Sequence, residues 1–398
     1  MTSNISIVCA NWASSLGLKV LAMRIQLCRL GQSCRRPISA AGRLPCSKLA
    51  ASLGSRRKYG KFPLRPGRKV PFTGHLCLIF TRLGGILLSP KHPIRHTGRE
   101  IMKSLVLLLI GCAAWPARGE TLSQRYADYG ELIVTPLASA PFPHPKRAEG
   151  HKYQGKDFPA KEHYSDSTVA IFIPKGFRET GQVDFIVHFH GWQNHVEGVL
   201  KQYRLIEQLS ESRRNVVLVV PQGPRNAPDS FGGKLEDADG FKRFMADVVE
   251  TLRQKSALKN KDFAIGQIAL SGHSGGYEVI SAIVDRGGLT ERVREVWLFD
   301  ALYAQTDKFL AWIDRHQGRF LDIYTEHGGT KARTEELMAT LKQRGTAFFA
   351  GKEGEAKPAD LQSNKLVFLY TDLSHNEAVN KRQEFCEYLK TSCFAKLE

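Results

Sequence analysis

Acidic residues are almost missing from the first 119 positions. Only Glu100 carries a carboxylate there, against 20 of the chain's 57 Lys and Arg residues. The formal net charge of +18 is therefore local, and the rest of the chain is close to neutral. A nucleic-acid partner read from the overall charge would rest on this one segment, so no nucleic acid is expected. No helical or strand period persists there over several elements. Residues 1–101 read as an unstructured or spurious extension rather than a domain.

Long apolar runs are scarce too. The one that stands out is "MKSLVLLLIGCAAWPARGE", starting at Met102. It is too short to span a bilayer, so no stable membrane span is expected. Its start methionine, Lys103, apolar run and small residues Ala117 and Gly119 have the layout of a secretory signal peptide over 102–119. Translation from Met102 then predicts a periplasmic or secreted protein whose working body starts near Glu120. "LIGC", ending at Cys112, offers a lipid anchor as the second reading.

Cysteine is depleted from that body. Six of the eight cysteines lie at or before Cys112, which leaves Cys386 and Cys393. In an exported protein two such residues predict a disulfide. On an unbroken helix they would stand about 10 Å apart, beyond disulfide reach. The bond requires the chain to leave the helix near Thr391 and Ser392.

Metal signatures are also missing. There is no H-E-x-x-H, and no H-x-H-x-D-H. His188, His190 and His195 in "HFHGWQNH" are the one cluster a zinc hydrolase could use. The absent aspartate makes histidines that line or brace a site the favoured reading. No metal and no cofactor are expected.

What remains is an α/β pattern. Residues 120–164, rich in Pro, His and Lys over their second half, read as an extended lead-in, and 165–398 as one catalytic-sized domain. Apolar runs at 168–174, 183–190, 215–221, 267–271, 294–299, 319–325 and 365–371 read as strands. Several are apolar on both faces, as a parallel sheet covered by helices requires. Helical patterns fall between them, including 199–212, 240–258, 276–287 and 376–390. No internal repeat is visible.

Within this pattern Gly272-His273-Ser274-Gly275-Gly276 follows a strand and precedes a helix. A G-x-S-x-G in that setting is a nucleophile elbow, with the serine hydroxyl presented on a strained turn. A nucleophilic serine needs a base and an orienting acid. His375 follows the last strand. Asp300 ends the strand after the elbow, and Glu326 ends the next one. Asp300, held at the end of an apolar strand, is the preferred acid, with Glu326 the alternative.

The elbow, the strand succession and the terminal histidine resemble the α/β-hydrolase superfamily, its secreted esterase-like members most of all. The resemblance covers about 165–398. It implies a mostly parallel central sheet with helices on both faces, and a Ser-His-acid hydrolase working through an acyl-enzyme on an ester, or less readily an amide. The substrate expected is a small molecule or short oligomer. The resemblance also implies an oxyanion hole of Gly275 with Gly191 or Trp192, the latter two in a His-Gly motif braced by His190. Phe231 and Tyr277, with His190, are candidate substrate contacts; Lys234, Glu236, Asp237 and Tyr303 are softer ones. No stretch is long enough for a large cap domain. The alternatives are the zinc hydrolase and a non-catalytic binding protein on a hydrolase scaffold.

Overall fold

The computed structural model describes residues 120–397. The expected extension 1–101, signal peptide 102–119 and Cys112 anchor lie outside the described residues. Among the described residues no helix is long and apolar enough to cross a membrane.

A nine-stranded sheet organises the body. In chain order its strands are β1 (Gly130–Pro136), β4 (Thr168–Pro174), β5 (Gln182–Phe189), β6 (Val217–Pro221), β7 (Ala264–His273), β8 (Val293–Phe299), β9 (Arg319–Thr325), β10 (Phe349–Lys352) and β11 (Leu366–Thr371). In space they run β1-β4-β6-β5-β7-β8-β9-β11-β10. β1 and β6 are antiparallel to β4, and the pairs from β6 through to β10 are parallel. A separate hairpin of β2 (His151–Tyr153) and β3 (Lys156–Phe158) stands outside the sheet.

Strand alternation explains the two-sided core. On β8, Val296 and Leu298 face one layer while Trp297 and Phe299 face the other. Helices Gly240–Lys255, Tyr277–Arg286 and Thr306–His316 supply the first layer with Phe241, Phe244, Ile280, Phe309 and Trp312. The second takes Val199, Leu205, Leu209, Phe385 and Leu389 from helices Val196–Gln202, Leu205–Ser212 and Glu384–Lys390. A sheet covered on both faces reads as continuous apolar runs, which is why its central strands were legible.

Several expectations need correction. The first part of the lead-in holds a strand that was not expected there. Its residues 130–136 pair along their full length with β4, from Gly130 opposite Pro174 to Pro136 opposite Thr168. Edge position leaves Val134 exposed and breaks the apolar pattern. The helix expected over 199–212 is two, because Arg204 takes the left-handed conformation at φ 49°. The last helix begins at Glu384, not 376; a run of turns carries 375–382. The charged stretch after Phe349 holds edge strand β10 and helix Pro358–Ser363.

The Cys386–Cys393 disulfide is not formed; both are free thiols. The chain does leave the helix at Thr391. Yet Cys386 points into the core, while Cys393 is exposed and its backbone N–H donates to Glu295 Oε1 at 2.6 Å.

Phe385 joins the core to the site, its ring lying 5.9 Å from Trp297 and 6.0 Å from the imidazole of His188. Phe385→Ala is expected to cost about 3–5 kcal/mol. The exposed Val134→Thr is expected to change stability by under about 0.5 kcal/mol. Urea melts of both variants check the contrast, and similar losses would contradict this account of the core.

Candidate active site

The sheet delivers its polar residues to one edge. The C-terminal ends of β5, β7, β8 and β11 lead into Gly191, Ser274, Asp300 and His375. This is the end at which parallel α/β sheets place their ligand crevices.

β7 runs straight into the elbow. It ends at His273; Ser274–Gly276 form a tight turn, and helix Tyr277–Arg286 follows. Ser274 holds φ at 56°, the left-handed region that a side chain rarely adopts. Such strain at a strand-to-helix turn presents the hydroxyl outward. The neighbours make this turn possible by having no side chains. A Cβ on Gly276 would lie 2.6 Å from the carbonyl oxygen of Phe189, and one on Gly191 would lie 2.4 Å from Ser274 Cβ. The loop after β5 is thus pressed directly onto the serine.

Asp300 is wholly buried and fully bonded. Its Oδ2 accepts from His375 Nδ1 at 2.6 Å and from Thr325 Oγ1 at 2.8 Å. Its Oδ1 accepts from the Thr325 backbone N–H at 3.1 Å and from the Thr330 hydroxyl. Burial alone would raise its pKa, but the bonds from His375, Thr330 and Thr325 outweigh it and hold the carboxyl below its ordinary value. Glu326 does not reach the histidine. It pairs with Lys331 Nζ at 2.8 Å on the exposed surface. The structure therefore brings His375 together with Asp300 and not with Glu326.

Three further histidines are buried around this pair. His190 lies behind the loop after β5, where its Nδ1–H donates to the carbonyl of Gly191 at 2.8 Å and its Nε2 accepts from the backbone N–H of Gly223 at 3.0 Å. With both nitrogens taken it braces the loop, and offers none to a substrate. His188 Nδ1 bonds Ser271 Oγ at 2.9 Å. His195 Nδ1 bonds the Asn226 side chain at 3.0 Å. The three residues of the zinc alternative thus have separate partners, and among the described residues no cluster of three or more ligand-type side chains converges.

The third buried histidine, His273, was missed as a separate residue because it lies inside the elbow motif. It contacts the His375 loop, with the two rings 4.5 Å apart. Thr325 and Thr330 were missed as well; a threonine after a strand carries no signal of its partner.

The other candidates separate by position. Phe231 lines a small cleft with Pro141, Val279 and the backbone of Gly275. Asp229, which accepts from the Phe231 N–H, is clamped there by Arg147 at 2.7 Å. Tyr277 is half-buried and packs on Tyr303 at 5.8 Å; it is not among the lining residues of that cleft. Lys234 donates to the carbonyl of Ala138, Glu236 accepts from the Gly232 N–H, and Asp237 faces His144. These three build the loop. Trp192 is 43% exposed, with its indole N–H donating to Ser230 Oγ at 2.7 Å.

Burial keeps His188, His190 and His273 uncharged, lowering them from 6.5 to about 3, 4 and 3 respectively. The unfolded chain takes up these protons below about pH 6.5, and the folded chain does not. Each group's stabilisation is therefore present above that pH and falls as pH drops toward its folded pKa, by about 1.4 kcal/mol per pH unit. Buried Glu384, raised to about 7, works in the opposite sense. The clean comparison is between variants. His188→Gln is expected to show a shallower loss of urea stability from pH 6.5 to 5 than the parent chain; parallel slopes would refute the assignment.

No protein-family model matches the chain, and no curated protein does. Solved structures with similar folds include a feruloyl esterase module from Clostridium thermocellum, at 10% identity and TM-score 0.42, covering 66% of this chain and 88% of that one. A fluorophosphonate-binding serine hydrolase of Staphylococcus aureus is similar at 10% identity and TM-score 0.40, over 66% and 98%. A hyperthermophilic esterase of Pyrobaculum calidifontis is similar at 16% and 0.36, over 73% and 89%. At these values the likenesses add nothing to what the chain's own topology says. The β1-β4-β6-β5-β7-β8-β9-β11-β10 order, the serine turn after β7 and the succession serine, aspartate, histidine are those of the α/β-hydrolase fold, and that is the fold of this chain.

Proposed function

We propose that this chain is a serine hydrolase that cleaves carboxylic esters through Ser274, His375 and Asp300. The observation that carries the reading is the 2.6 Å bond from His375 Nδ1 to a fully buried, ionised Asp300, beside a serine in a left-handed turn. The combination is costly, since Ser274 and Asp300 both hold left-handed backbone and one charge is buried.

Each residue has a role in the reaction. Asp300 fixes the imidazole with its hydrogen on Nδ1, leaving Nε2 free as base. Ser274 Oγ attacks the ester carbonyl and gives its proton to His375. The carbonyl oxygen becomes an oxyanion, held by the backbone N–H of Gly275 and that of Trp192, which follows Gly191. The alkoxide leaves with the proton from His375, and the acyl group stays on Ser274. Water then attacks under the same base, releasing the acid and restoring the serine. His190 keeps the donor loop in place through the Gly191 carbonyl.

An ester is favoured over an amide, and a short acyl group over a long one. Between β8 and β9 stands one helix, Thr306–His316, where a large cap would be inserted. The cleft beside Gly275 is small and lined by Pro141, Phe231 and Val279. Export follows from the reading of residues 102–119 as a signal peptide and belongs to the same proposal. The zinc and binding-scaffold readings have no observation in their favour.

Fluorophosphonate should label the chain at Ser274, and Ser274→Ala should abolish labelling. Asp300→Asn should lower kcat by roughly 10²–10⁴-fold, while Glu326→Gln stays near the parent rate. A larger loss in Glu326→Gln would reassign the acid. Soluble p-nitrophenyl acetate or butyrate should be hydrolysed with no jump in rate at the solubility limit, because the described residues hold no large cap for an interface to open. A preference for emulsified long-chain triglyceride would overturn this view of the entrance.

A further inference from the structure

The catalytic histidine sits in a stretch without regular structure. Residues 375–382 are turns, and the helix that follows starts only at Glu384. A base that must hold its Nε2 on target within tenths of an ångström needs its backbone fixed from outside. Asp300 fixes the ring, and something must fix the main chain.

His273 is placed to do so. Its Nε2 lies 2.9 Å from the backbone carbonyl oxygen of His375, and its Nδ1 lies 2.9 Å from the hydroxyl of Tyr203. Both residues are buried. Burial and the neighbouring His375 keep the His273 imidazole neutral, so it has one donor and one acceptor. A carbonyl only accepts, so the hydrogen is on Nε2. Nδ1 is then the acceptor, and the Tyr203 hydroxyl donates to it. The His375 carbonyl thus fixes the tautomer, and the Tyr203 hydroxyl holds the ring so that Nε2–H points at that carbonyl. Without that hydroxyl Nδ1 loses its donor, and the ring is anchored at one nitrogen only.

Tyr203 also belongs to the far side of the site. It caps helix Val196–Gln202, which begins directly after the loop carrying Gly191 and Trp192. Two more side chains tie this helix end to the histidine segment. Asn380 Nδ2 donates to the Gln202 carbonyl at 2.7 Å, and Gln208 Nε2 donates to the carbonyls of both Tyr203 and Val379. The two elements are one hydrogen-bonded unit.

We infer that Tyr203 and His273 are positioning residues, a buried Tyr–His pair that sets the main chain of the catalytic histidine and couples it to the oxyanion loop. The inference rests on the serine-hydrolase reading. It adds a second, unannounced function to the variable position of the elbow: His273 steadies the base as well as preceding the nucleophile.

The test uses the full chain with Tyr203→Phe, His273→Ala and His273→Gln. Tyr203→Phe keeps the ring and removes one hydroxyl. It should lower kcat for p-nitrophenyl acetate by roughly 10- to 100-fold with KM nearly unchanged, at a melting temperature within a few degrees of the parent. It should also shift or broaden the low-field proton resonance of the His375–Asp300 bond. His273→Ala should show a similar kcat loss, and His273→Gln should recover part of it, since a glutamine amide can donate to the same carbonyl. An unchanged kcat and proton signal in Tyr203→Phe overturns the inference, as does a kcat loss in His273→Ala that glutamine does not recover. Should the parent chain fail to label at Ser274, the hydrolase reading falls by itself, and the proton signal still decides whether Tyr203 sets the histidine.

Discussion

A carboxylate with no exposure to water is the constraint around which this site is arranged. An ionised group of that kind is tolerated only when every lone pair finds a donor. Asp300 finds four: the imidazole of His375, the backbone and hydroxyl of Thr325, and the hydroxyl of Thr330. These come from the ends of β9 and β11 and from the turn before helix Lys331–Gln343. Satisfying one charge therefore draws three separate segments to the end of β8, and the orientation of His375 is a by-product of that requirement.

The same logic extends outward through neutral imidazoles. His188, His190 and His273 are buried, and burial disfavours their charged forms. A neutral imidazole is directional, one donor and one acceptor. His190 uses this to hold the Gly191 carbonyl and the Gly223 N–H at once. His273 uses it between Tyr203 and the His375 carbonyl. Buried polar links of this sort rigidify a site when every member is satisfied. Here they stiffen loops that have no helix or strand of their own.

The segment before the sheet contributes more than its composition suggests. Arg147 reaches back to clamp Asp229, and its guanidinium lies 4.8 Å over the ring of Phe231. Tyr153 of the β2–β3 hairpin meets Trp192 edge-on at 5.1 Å. Residues 137–167 thus form one wall of the entrance. Their signal was weak because such contacts are made by scattered polar and aromatic side chains rather than by a periodic face.

Some of this was written in the sequence. Two-sided apolar runs gave the central strands to within a few residues, because burial on both faces leaves no other composition workable. Gly272-His273-Ser274-Gly275-Gly276 marked the strained turn, since only glycine fits where a Cβ would meet backbone. The sequence also narrowed the acid to two carboxylates at strand ends. It preferred Asp300 for its place at the end of an apolar strand, but the partner of each carboxylate lies far away in sequence. Tertiary structure separated them: one is buried against His375 and the other is paired with Lys331 in water. It likewise kept Cys386 and Cys393 apart, turned the lead-in into an edge strand, and joined Tyr203 to His273 across 70 residues of chain. Local pattern reports what a residue does to its neighbours in sequence; contacts between distant segments depend on how the layers pack, and only the folded chain decides them.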